Sequence, residues 1–84
     1  MKKYYTMYQT YVRFNREEMI MVGRIETENN DPIKKYLEEI HPHGKERQEF
    51  IEAYLLCDEI SKEHFDKISI DDIESNRKKL GVWI

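Results

Sequence analysis

Cysteine occurs once in this 84-residue chain, as Cys57, so no internal disulfide can hold it together. Glycine occurs three times, and Gly23, Gly44 and Gly81 stand apart, which leaves no glycine-rich phosphate loop. There are two prolines and a single alanine, Ala53. Apolar runs such as residues 19–22 fall far short of the roughly 20 residues that cross a bilayer. Residues 1–10 pair Lys2 and Lys3 with tyrosines and threonines, not with the apolar core of a signal peptide. The last residues, Gly81-Val82-Trp83-Ile84, form no lipidation box. A disulfide-free chain without export or anchoring signals is expected to be cytoplasmic. Cys-x-x-Cys and His-Glu-x-x-His spacings are also absent.

What is abundant is charge. Charged residues make up 37% of the chain and apolar residues 39%, so a single small domain over 1–84 with a limited core is expected. Isoleucine, lysine, glutamate and tyrosine dominate, a leaning toward AT-rich codons that points to a bacterial or phage genome.

Residues 4–14 are rich in aromatic and β-branched side chains. Their even positions, Tyr4, Thr6, Tyr8, Thr10, Val12 and Phe14, are more apolar than the odd ones, a soft strand pattern. Residues 15–18 make a plausible four-residue loop, and residues 19–27 a second strand with Gly23 as a bulge position. Such an antiparallel hairpin needs cover on one face. Asp31 can cap a helix that starts at Pro32, with Ile33, Tyr36, Leu37 and Ile40 on one stripe. His41, Pro42, His43 and Gly44 should stop it. A second helix is expected over 45–60, its buried side marked by Phe50, Ile51, Tyr54, Leu55 and Cys57 and widened by Leu56 and Ile60. Phe65 belongs to a short helix or a tucked loop. Ser69 can cap a last helix carrying Ile70, Ile73 and Leu80, closed by Gly81. Trp83 is expected to pack back. The fold class is α+β: an N-terminal antiparallel β-hairpin followed by three to four short helices on one face.

The net charge of −3 hides an asymmetry. Residues 1–24 carry five basic and two acidic side chains, whereas residues 25–84 carry nine and fifteen. The most acidic stretch, residues 49–74, includes Glu49, Glu52, Asp58, Glu59, Glu63 and Asp66, candidates for meeting a basic partner. The basic half interleaves Tyr5 and Tyr11 with Arg13, Arg16 and Arg24, a composition suited to a protein interface or a single-stranded nucleic-acid platform. A helix-turn-helix is disfavoured, because the last helix would offer Asp71, Asp72 and Glu74 to phosphates.

Catalytic constellations are missing. Cys57 sits beside Asp58 and Glu59, which raise a thiol pKa and oppose a reactive thiolate. His41, His43, Cys57 and His64 lack metal-site spacing. The expectation is a non-catalytic protein-interaction module with no cofactor and no catalytic or metal residues. Its expected role is regulator or inhibitor of a bacterial protein, encoded by a phage or mobile element. Nucleic-acid binding through the hairpin is the alternative, and a homodimer is expected through the open hairpin edge, residues 4–14.

Overall fold

The structure is a computed structural model and describes residues 1–40 and 45–81. β1 (Lys3–Arg13) and β2 (Arg16–Thr27) form the N-terminal antiparallel hairpin. Its turn is two residues, not four. Phe14 and Asn15 both adopt positive φ, 52° and 61°, the backbone signature of a type I′ turn. Glu17 and Glu18, expected in the loop, are paired with Val12 and Tyr11 inside the ladder.

The expected helix over 45–60 divides. α2 (Lys45–Tyr54) stops at Tyr54, and Leu55–Ile60 is a third strand, β3, antiparallel to β1. The sheet order is β2-β1-β3. Leu55, Leu56 and Cys57 satisfy helical and strand periods equally, so pairing with β1 decides between them. At the junction the Thr10 hydroxyl donates to the Tyr54 carbonyl at 3.2 Å. One consequence corrects the expected dimer. The β1 edge assigned to a second copy is filled over Tyr4 to Gln9 by the chain's own β3.

α1 (Pro32–Ile40) begins as read, with the Lys34 amide donating to the Asp31 carboxylate at 3.1 Å. α3 (Lys62–Lys67) is capped by Ser61, and α4 (Ile70–Leu80) by Ser69, with Gly81 left-handed at its end. Residues 41–44 and 82–84, including the expected helix stop and Trp83, lie outside the described residues.

β1 is the central strand, so both of its faces matter. The odd residues Tyr5, Met7 and Gln9 face the main core, not the even set favoured by composition. There Met7, Val22, Ile25, Tyr36, Leu37, Ile51 and Leu55 pack as one cluster. Phe50, Tyr54 and Leu56, expected to be buried, are exposed. The helices do not share one face. α1 and α2 supply Tyr36, Leu37 and Ile51 to that core, while on the opposite face Phe65 of α3 stacks on Tyr4, ring centroids 5.1 Å apart. α4 lies against β2, where Ile73 is buried and Ile70 is exposed.

β2 bulges where its register shifts between Met7 and Tyr8, leaving Val22 without an opposite residue. Helix side chains satisfy the carbonyls that result. The Val22 carbonyl accepts from the Tyr36 hydroxyl at 2.5 Å and from Arg77 Nε at 2.6 Å, and the Met21 carbonyl accepts from Asn76 Nδ2 at 2.8 Å. α4 thereby blunts the outer strand edge.

Candidate functional site

The five basic and aromatic residues singled out from the sequence do not form one surface. Alternation along β1 and its register with β2 put Tyr5, Tyr11, Arg13 and Arg16 on the core-side face, and Arg24 on the other. Tyr5 packs against the core. Tyr11 donates its hydroxyl to Glu18, a bond that raises its pKa. Arg24 is part of the fold: its guanidinium stands 4.5 Å from the Phe65 ring centroid and donates to the Phe65 carbonyl at 2.6 Å. Arg13 and Arg16 remain exposed beside the turn, directly opposite each other.

The acidic residues are all exposed but spread over three elements, Glu49 and Glu52 on α2, Asp58 and Glu59 on β3, Glu63 and Asp66 on α3. Asp58 and Glu59 are adjacent strand residues and so point to opposite faces. Glu59 pairs with Lys3 at 3.6 Å, and Glu63 with Lys67 at 3.3 Å.

The structure brings together a different set. α3 covers the outer face only near Tyr4 and Arg24. Beyond that, the register aligns Leu56, Tyr8 and Met21 across three strands, then Thr10 with Met19, then Val12 with Glu17. Opposite residues in such a ladder are about 5 Å apart, so these side chains form one array roughly 10 by 14 Å. Val12 is 75% exposed, Met19 60% and Leu56 48%. Phe14, at the adjoining turn, is 85% exposed, and the Arg13 guanidinium stands 5.3 Å from its ring centroid. β3 stops pairing at Gln9, so the hairpin carries this array past the rest of the sheet.

The tip breaks local rules. A bulky residue at positive φ is an outlier, and like charges opposite each other in a ladder repel. Such departures gather where function outweighs stability. Sequence reading missed Phe14 as a tip residue because it continued the strand one residue too far. Counting back from the ladder partner of Val12, Glu17, finds the two-residue turn.

The core-side face of the same hairpin borders a cleft of about 680 Å³, between β1, Ile20 of β2, Phe50 of α2 and the last turn of α4. Gln9 is among its lining residues. Gln9 is 1% exposed, and neither atom of its amide finds a hydrogen-bond partner among the described residues. Arg13 and Lys79 stand at the same cleft. No sequence signal marks it, since its walls come from four elements.

Cys57 is half-buried, and burial pushes its thiol pKa up, with Asp58 and Asp31 adding to the rise. His64 lies exposed in the first turn of α3, while His41 and His43 fall outside the described residues. Among the described residues no helix is long and apolar enough to cross a membrane. The chain matches no family model, no curated protein and no solved structure.

Proposed function

We propose that the protein is a non-catalytic interaction module that docks on a larger bacterial protein and regulates or inhibits it. The observation that supports this is the trio Val12, Met19 and Leu56, exposed on one face of the three strands beside the tip residue Phe14. Scattered exposed apolar residues are ordinary; what favours docking here is that these three share one face next to an exposed aromatic held at positive φ. Its composition, an aromatic at the tip and methionines on the strands, is of the kind enriched at interface cores. The array leaves the fold's own core complete, because Met7, Val22, Ile25 and Ile51 fill the other face.

The test uses affinity capture from bacterial extract by wild-type protein and by a Met19→Ser, Leu56→Ser variant. Both positions are exposed, so the two chains should fold alike, within about 0.5 kcal/mol per site. The wild type should retain a partner that the variant releases. Equal capture by both, or specific capture by neither, overturns this reading.

A further inference from the structure

We infer that the cleft between β1 and the end of α4 is a binding site for an extended peptide segment that carries a large apolar side chain next to a carboxylate. The site opens on the opposite face of the hairpin from the array above, with Thr10 and Val12 of β1 bordering both.

Three features of the cleft specify this ligand. Its volume, about 680 Å³, lies within the range of built ligand pockets, and Phe50 and Leu80 offer apolar walls for one large side chain. Arg13 and Lys79 stand at it, and neither has an ion-pair partner among the described residues. Glu18, the carboxylate opposite Tyr11 on this face, is engaged by the Tyr11 hydroxyl, which leaves Arg13 and Lys79 to complement a ligand carboxylate beside the apolar recess. The third feature is Gln9. A side-chain amide offers one acceptor and two donors, and buried amides almost always find partners. The Gln9 amide has none among the described residues, although Thr10 and Tyr11 beside it are bonded. Both amide atoms are closed to solvent, so a peptide group of the ligand, with its N–H and C=O, pairs with them only once the Gln9 side chain turns toward the cleft. An extended segment brings that group alongside β1 while its side chain enters the apolar recess.

The decisive test is fluorescence-anisotropy titration of the full chain with a labelled hexapeptide containing a central phenylalanine–glutamate pair. Two control peptides replace the glutamate by lysine or the phenylalanine by alanine. The first peptide should bind saturably, and both controls should bind at least several-fold more weakly. Lys79→Glu, at an exposed position, should weaken binding about tenfold. Gln9→Leu should weaken it about three- to tenfold while raising the thermal midpoint, because it removes an unpaired buried amide. Met19→Ser should leave peptide affinity unchanged, which separates this site from the outer array. Absence of saturable binding at millimolar peptide, equal binding of the lysine control, or unchanged affinity in both cleft variants overturns the assignment. So does a homodimer that Lys79→Glu dissociates, since a second copy would then be the occupant.

Discussion

Gly23 shows most sharply how one residue positions the fold. A Cβ built there would lie 2.0 Å from the Tyr36 hydroxyl oxygen, so only glycine admits the tyrosine to the bulge. Gly23→Ala should therefore displace Tyr36 and destabilise the protein by about 1–3 kcal/mol, read from the denaturant midpoint. Tyr36 itself makes stability sensitive to alkali. Burial pushes its phenol pKa up to about 12, with the nearby Arg77 guanidinium working against the rise. In the unfolded chain the group titrates near 10. Between those values the folded state keeps a proton that the unfolded state has lost, so stability falls as pH rises. The contribution is intact below about pH 10 and gone by about pH 12, roughly 2–3 kcal/mol in all. The stability advantage of wild type over Tyr36→Phe should shrink across that window. An advantage independent of pH contradicts this account.

Among the elements, the hairpin turn exchanges stability for exposure of an aromatic tip. Asparagine followed by glycine is the favoured pair for this geometry. The double change Phe14→Asn, Asn15→Gly should stabilise the fold by about 1 kcal/mol, by relieving left-handed strain. It should also weaken partner capture. A destabilised double variant would show that Phe14 serves the fold. The elements also show what was legible in the sequence. α1 starts, and α4 starts and ends, where the caps say, because Asp31, Ser69 and Gly81 act locally. β3 was not legible. Leu55 to Ile60 become a strand through an edge offered by residues more than 40 positions earlier, a partner that no local period records. The faces of β1 were equally ambiguous, since a central strand is lined on both sides. The candidate site suffered most, because Leu56 joins Met19 and Val12 only once β3 is placed.

Taken whole, the molecule measures 39 × 25 × 21 Å, and its long axis matches the twelve residues of β2 at roughly 3.3 Å each. The charge asymmetry follows the hairpin. At its open end Lys2 and Lys3 pair with Glu26 and Glu59, and Asp58 and α3 lie nearby. At the turn Arg13 and Arg16 stand exposed beside Phe14. The strand edges are guarded too, one by Asn76 and Arg77, the other by a short β3 bearing Asp58 and Glu59. What is left open is the outer face near the turn, and the central claim is that a partner protein covers it. Site-specific photocrosslinking tests this most directly, with benzoylphenylalanine in place of Met19, of Leu56, or of the exposed Lys34 as control. One partner of a single mass, joined through positions 19 and 56 and not through 34, is the predicted result. Crosslinks of equal yield at all three positions, or none at 19 and 56, contradict it.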